Sequence, residues 1–324
     1  MNAFHRVLTG AIVLVACAQA NAHCVVGARF FPATLTIDDP CVADELAFPT
    51  IASFKNGDDP STRQFDVAAE FSKRITDKLG VSIGTAWTQL SPAGASRADG
   101  FQNLEASLKY QFLTDAARET VMSGALVVEF GHTGSSKVGA ESFSAYTPTL
   151  YLGQGFGGLP DSMNMARPLA FTGQLGYAIP SKSSVTSFDP DSGDTITELN
   201  PRFLTYGGSL QYSMPYLKAN VADLGLPDFF NRLVPIVEFQ FQTPVANYHG
   251  SGIGTTGTVS PGVIWVGKYF QLGVEAIIPV NRASGTGVGV IAQLHLYLDD
   301  LFPSGIGKPI FSSSTVSAKS PLGN

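Results

Sequence analysis

The sequence predicts an all-β fold, an antiparallel transmembrane β-barrel of about 12 strands with short periplasmic turns and longer outer loops. Composition supports this class, because charged residues make up 14% of the chain and apolar residues 44%, whereas about 25% charge is usual in soluble domains. After residue 22 the chain has no run of about 18 apolar residues, the minimum for a transmembrane helix. The apolar residues must therefore cross a membrane as strands.

Alternation of apolar and polar residues identifies the strands. In residues 103 to 112, Leu104, Leu108 and Tyr110 fall on one face, while Glu105 and Lys109 fall on the other. Residues 65 to 74 and 234 to 242 show the same period of two, which no helix face can produce.

The strand count follows from the connections. Eleven alternating segments lie between residues 64 and 298, separated by connections that are alternately short and long. Bacterial barrels generally have an even number of strands, so residues 47 to 55 are predicted to supply the twelfth. The barrel then covers residues 47 to 300, both of its ends lie in the periplasm, and residues 301 to 324 form a C-terminal tail.

The first 22 residues are predicted to be a signal peptide. Arg6 provides the positive start, residues 7 to 16 form an apolar stretch, and Ala20-Asn21-Ala22 has the small-x-small pattern of a cleavage site. The competing interpretation is a lipoprotein signal, in which Cys17 is acylated. Cleavage after Ala22 is preferred because a lipid anchor adds little to a protein that already spans the membrane.

Residues 23 to 46 form a separate N-terminal segment, and the sequence leaves open whether it lies in the periplasm or in the barrel lumen. It contains Cys24 and Cys41, the two cysteines of the mature chain. Export favours a disulfide between them, with two free thiols as the alternative. We expect no metal site because no further His or Cys lies nearby at ligand spacing.

Net charge excludes nucleic acid as a partner. Removal of Arg6 with the signal peptide leaves 19 basic against 26 acidic residues, a net charge of −7. Nucleic-acid-binding domains are instead strongly basic.

The sequence predicts neither catalysis nor a cofactor. The mature histidines are His23, His132, His249 and His295, and none lies in a recognisable nucleophile motif. The glycine-rich residues 153 to 158 lack the following helix that a phosphate loop requires.

The inward faces of the predicted strands are the candidate functional surface. Their acidic excess indicates a narrow path that disfavours anions, and the alternative is a sealed lumen whose polar groups pair with one another. The lumen-lining candidates are Asp66, Glu70, Glu105, Lys109, Glu129, Glu238, Glu275 and His295.

Three segments, residues 29 to 40, 100 to 105 and 173 to 180, resemble a proteobacterial family of exported barrels. They read RFFPATLTIDDP, GFQNLE and GQLGYAIP. That family is similar to transporters of the MetA-pathway phenol-degradation type. The resemblance implies an outer-membrane barrel that passes small organic molecules, and it carries over no catalytic or ligand-binding residue.

These observations together predict an outer-membrane channel or facilitator for small neutral, cationic or apolar organic compounds. The expected partners are outer-membrane lipids, the barrel assembly machinery and small organic solutes. A lipid-modifying enzyme and a structural barrel without a transport role are the alternatives.

Overall fold

The computed structural model describes residues 24–57, 60–188, 193–248 and 254–311. The predicted signal peptide, the alternative lipidation site at Cys17, and the tail beyond residue 311 lie outside the described residues. His23 and His249 also lie outside them.

The described chain is almost entirely β-structure. Two short strands, β1 (Val25–Val26) and β2 (Arg29–Phe30), precede the main sheet. The next strands are β3 (Glu45–Lys55), β4 (Arg63–Arg74), β5 (Leu79–Ser91), β6 (Ala98–Phe101), β7 (Leu104–Asp115), β8 (Thr120–Phe130), β9 (Ala145–Gly155) and β10 (Leu169–Pro180). The remaining strands are β11 (Ser184–Phe188), β12 (Thr195–Leu199), β13 (Arg202–Tyr212), β14 (Leu233–Ala246), β15 (Thr256–Val266), β16 (Phe270–Pro279) and β17 (Gly289–Tyr297).

The main sheet closes into a barrel of twelve antiparallel strands. All strands from β3 to β17 belong to it except β6, β11 and β12, and each pairs with its neighbour along the chain. The barrel closes because β3 pairs with both β4 and the last strand, β17. Closure gives every strand two neighbours and leaves no open edge, as a membrane-spanning sheet requires. The predicted fold class is confirmed.

The two ends of the barrel differ. One end, here called the turn end, carries the connections 75–78, 116–119 and 267–269. It also carries three helices, α1 (Met214–Asn220), α2 (Asp228–Asn231) and α3 (Leu298–Leu301). The opposite end, here called the loop end, carries β6 and the β11–β12 hairpin within its connections. Both β3 and β17 meet the turn end, as expected if that end is periplasmic.

The inner and outer faces of the barrel have opposite chemistry. Outward-facing Leu108, Leu150 and Leu210 are each at least half exposed. On the inner face, by contrast, Ser209 and Gln271 are completely buried. An apolar belt of this kind is costly in water and favourable against lipid. No helix among the described residues has the length and apolar character needed to cross a bilayer.

Residues beyond the last strand fold back onto the turn end. The amide of Ile310 donates to the carbonyl of Arg74 at 3.2 Å, and that of Phe311 donates to the carbonyl of Ile75 at 2.9 Å. At the same place, Asp44 accepts from Lys73 Nζ at 2.6 Å and from Arg74 Nε at 2.7 Å. These contacts fasten the start and the end of the barrel to each other.

Candidate functional site in the barrel lumen

Residues 24–44, here called the N-terminal plug, lie inside the barrel at the turn end. Leu35 packs in a cluster with Val234, Ile264 and Ile291 from three different wall strands. A second cluster joins the cysteines and Phe31 to the opposite part of the wall at β8 and β10. The plug is therefore held by apolar contacts on two sides of the lumen.

Cys24 and Cys41 form a disulfide across 17 positions of sequence, with their Cα atoms 5.2 Å apart. The predicted pairing is confirmed, and the alternative of two free thiols is wrong. Their sulfur atoms lie near the Asp39 carboxylate. Because both sulfurs are bonded to each other, this cluster does not offer the thiolates that a metal ion would need.

Glu238 of β14 holds the middle of the plug. Its carboxylate accepts from the amides of Leu35 at 2.8 Å, Thr36 at 2.8 Å and Ile37 at 3.1 Å, and from the Thr36 hydroxyl. Hydrogen bonds to an ionised acceptor are short and strong, so these contacts compensate the burial of the charge. Glu275 lies beside Glu238 and is also buried.

Arg29 holds the start of the plug. Its guanidinium bonds Glu119 at 3.1 Å and the carbonyls of Pro168 at 3.0 Å and Arg167 at 2.5 Å. It also stacks on the ring of Tyr216, 3.7 Å from the centroid. Burial lowers the pKa of Arg29 and the Glu119 carboxylate opposes that effect. A completely buried cation thus has a carboxylate, two carbonyls and an aromatic face as partners.

Lys109 of β7 holds the end of the plug. Its ammonium group lies 2.6 Å from the Asp38 carboxylate and donates to the Asp39 carbonyl at 2.8 Å. Further polar contacts come from Ser123, which donates to the Pro40 carbonyl, and from Gln271 on the opposite wall.

Glycines in the wall make room for the plug. At five inward positions, a Cβ atom would lie less than 3.0 Å from a plug side chain. These pairs are Gly80 with Val42, Gly153 with Pro40, Gly155 with Arg29, Gly207 with Ile37, and Gly273 with Leu35. The close approach favours glycine at these places, because a Cβ atom there would have to displace the plug side chain.

A cavity of about 410 Å³ remains between the plug and the wall. Five acidic residues and two basic residues line it, among Ser, Thr and Gln side chains. The acids are Asp38, Asp39, Glu45, Glu70 and Glu105, and the bases are Lys109 and His295. The bases are already engaged, since Lys109 pairs with Asp38 and His295 Nε2 lies 3.0 Å from Glu45 Oε2. The cavity therefore has a negative surplus.

Strand pairing places three glutamates and one glycine of neighbouring strands side by side, in what is here called the acidic row. Glu70 on β4 is opposite Gly84 on β5, and Gly84 is opposite Glu105 on β7. Glu105 is in turn opposite Glu129 on β8. Carboxylates on directly opposed residues repel each other and lower the stability of a sheet.

The eight candidates from the sequence occupy three environments. Glu70, Glu105, Lys109 and His295 line the cavity. Glu129 accepts from Asn103 Nδ2 at 2.8 Å, next to Glu105 in the row.

Glu238 and Glu275 lie against the plug instead of the cavity. Asp66 accepts from the Thr88 hydroxyl at 2.7 Å and from Gln64, both of which belong to neighbouring positions on the wall.

Sequence reasoning missed several of the residues that hold the plug. Arg29, Asp38 and Asp39 belong to a segment whose position the sequence left open, and Glu119 lies in a turn. The available signal was the three charged residues between the two cysteines of the mature chain, because charges in such a segment need partners once it is enclosed.

No family model matches this sequence, and no curated protein matches it at a significant level. Solved structures of outer-membrane barrels are similar in fold. The NanC porin has a TM-score of 0.45 and 8% identity, over 77% of this chain and 98% of the porin. The KdgM porin has a TM-score of 0.42 and 12% identity, over 76% and 98%.

An outer-membrane channel from Pseudomonas putida F1 has a TM-score of 0.49 and 11% identity, over 83% of this chain and 99% of that channel. Likeness at these identities transfers no activity or substrate to this chain. The predicted resemblance to phenol-degradation transporters therefore stays a prediction.

Proposed function

We propose that the protein is an outer-membrane channel or facilitator for small neutral, cationic or apolar organic compounds, with the N-terminal plug restricting its lumen. The apolar belt on all sides of a closed barrel supports residence in a lipid bilayer. The predicted signal peptide, which would export the chain, supports the outer membrane as that bilayer.

The observation that carries the proposal is the acidic cavity between the plug and the wall. A barrel that served only as an anchor would have no need of a solvent-sized space of about 410 Å³ with a negative surplus. Carboxylates in a confined, partly dehydrated space attract cations and raise the barrier to anions. Neutral solutes meet hydroxyl and amide groups in the same cavity.

The plug determines how the path opens. It contacts β7 and β8 through Lys109 and Ser123, and β14 and β16 through Glu238 and Gln271. Solutes that enter from the loop end reach the cavity first, and passage to the turn end requires that part of the plug move.

A structural barrel with a permanently sealed lumen is the second candidate. The observation in its favour is the density of buried hydrogen bonds that hold the plug, above all those at Glu238 and Arg29. Electrical conductance separates the two functions, because a sealed barrel passes no current.

Ion selectivity tests the channel proposal. The background is a variant with the plug contacts weakened, Arg29→Ala/Glu238→Ala, so that current flows through the lumen. In a planar bilayer with a KCl gradient, its reversal potential should show cation preference. Adding Glu70→Gln and Glu105→Gln should reduce that preference.

Adding Glu198→Gln is the matched control, because Glu198 is exposed on β12 at the loop end. The control should retain the cation preference. Anion preference in the background variant, or selectivity unchanged by the two cavity substitutions, would contradict the proposal.

A further inference from the structure

The row formed by Glu70, Gly84 and Glu105 contains negative charge without a matching protein cation. Among the described residues, neither Glu70 nor Glu105 has an ion-pair partner within 4.0 Å, whereas Lys109 pairs with Asp38 and His295 with Glu45. Both glutamates face the cavity and are exposed to solvent-sized space within it. The folded protein thus holds two acids together without a protein cation, and the Ser72 hydroxyl donates to Glu70 at 3.4 Å.

Gly84 shapes the space between these acids. A Cβ atom there would lie 3.4 Å from Cβ and Cγ of Glu70 and 3.0 Å from the Ala69 carbonyl oxygen. With glycine at this position, β5 places no side chain between Glu70 and Glu105, which leaves a notch one strand wide. Their backbones are two strand spacings apart, roughly 9–10 Å.

A buried acceptor elsewhere in the cavity lining is a second, independent sign of a ligand. Gln293 lines the cavity and is only 8% exposed. Its Nε2 donates to Thr50 at 3.0 Å, but its Oε1 has no hydrogen-bond partner among the described residues. Buried polar atoms are rarely left without partners, so this acceptor calls for a donor from a bound molecule.

The spacing of the acids favours an extended ligand over a metal ion. Across the described part of the chain, Cys24, Asp39 and Cys41 are the one group that brings three possible metal-ligand atoms within 4.8 Å. Glu70 and Glu105 belong to no such group. A compact divalent cation needs several oxygen atoms converging on one point, whereas a chain with an amino group at each end can reach two separate carboxylates.

We propose that the cavity is a binding site for a small aliphatic diamine or a related organic cation, held by Glu70 and Glu105 across the notch at Gly84. This assignment rests on the proposed channel function and names the class of solute for it. The cation replaces the missing counter-charge, and its remaining N–H groups meet the hydroxyl and amide acceptors of the lining.

Calorimetric titration of the purified, detergent-solubilised mature protein tests the site without requiring transport. The probe is putrescine, and 1,4-butanediol is its neutral counterpart of similar shape. Putrescine should bind saturably with one molecule per chain, and 1,4-butanediol should not bind. Glu70→Gln and Glu105→Gln should each weaken putrescine binding about tenfold or more, and Glu198→Gln should leave it unchanged.

Three outcomes would overturn the proposal: equal binding of putrescine and 1,4-butanediol, no loss of affinity in both cavity variants, or stronger binding of Mg²⁺ that displaces putrescine. Cation-selective current without putrescine binding would refute this binding site and support the channel function. Putrescine binding without current in the plug-weakened variant would support the binding site and refute the channel function.

Discussion

Glu238 shows how one buried carboxylate fixes a segment 201 to 203 residues away in the sequence. Three consecutive plug amides, from Leu35 to Ile37, donate to it. Alternation along β14 predicts that Glu238 faces inward. Its partners were not predictable, because no local pattern shows where a distant segment enters the lumen.

Replacement of Glu238 with Ala should loosen the plug. Two buried amides and one partly buried amide would lose their acceptor, and each buried unsatisfied group costs about 1–3 kcal/mol. The expected result is faster hydrogen exchange at residues 35 to 37, with the barrel strands unchanged, and Glu198→Ala serves as the control. Wild-type exchange rates in Glu238→Ala would show that the carboxylate does not hold the plug.

Asp39 makes docking of the plug sensitive to pH. Burial, followed by the nearby Glu45 carboxylate, raises the pKa of Asp39 to about 7, and Lys109 opposes the shift. In a released plug this pKa returns to about 4. The docked plug therefore binds a proton that the released plug does not, throughout the interval between these two pKa values.

The sign follows from proton linkage: the free energy of plug release should fall as pH rises from about 4 to about 7, and level off above that. Hydrogen-exchange protection factors of residues 35 to 37 should be higher at pH 5 than at pH 8. Asp39→Asn should reduce this difference. Protection that rises with pH in the wild type would refute the assignment.

At the scale of elements, the plug is a ring closed by the Cys24–Cys41 disulfide. Cross-linking limits the conformations of the released segment, and for a loop of about 17 residues this contributes roughly 3 kcal/mol in the chain-entropy model, whose mechanism is disputed. The Arg29, Leu35 and Glu238 contacts all lie on or against this ring, so its integrity affects each of them.

The double variant Cys24→Ser/Cys41→Ser should therefore release its plug more readily than the wild type. Limited proteolysis of the folded protein should cleave residues 24 to 44 sooner in the variant, and reduction of the wild-type disulfide should have the same effect. Equal cleavage rates in oxidised wild type and variant would show that the cross-link does not stabilise docking.

Strand alternation predicted the barrel well because each wall residue faces either lipid or lumen. The predicted first strand at residues 47 to 55 corresponds to β3, which was needed for an even count. The short strand β6 and the β11–β12 hairpin were expected to be loops. They lie outside the membrane belt, where no two-sided environment imposes alternation.

Register irregularities in the strand pairing were also not predictable from the sequence. In β7 the pairing with β8 shifts between Gln111 and Leu113, so Phe112 and Leu113 are both exposed. A bulge of this kind inserts one residue and moves the following side chains to the other face. The acidic row was unpredictable for a related reason, since it depends on which residues of four strands are directly opposite one another.

At the scale of the whole molecule, two features define the protein: an apolar belt that meets lipid and a polar lumen that a cross-linked segment closes at one end. The lumen has more acids than bases, in keeping with the net charge of −7 expected for the mature chain. A channel function requires that the lumen become a path once the plug is released.

Single-channel conductance in planar bilayers tests this requirement most directly. The comparison is between wild type, the plug-weakened variant Arg29→Ala/Glu238→Ala, and a control, Arg97→Ala/Glu198→Ala, whose two residues are exposed at the loop end. We predict small, infrequent openings in the wild type and the control, and longer, larger, cation-selective openings in the plug-weakened variant. No current through a folded plug-weakened variant, or equal conductance in all three proteins, would contradict the account.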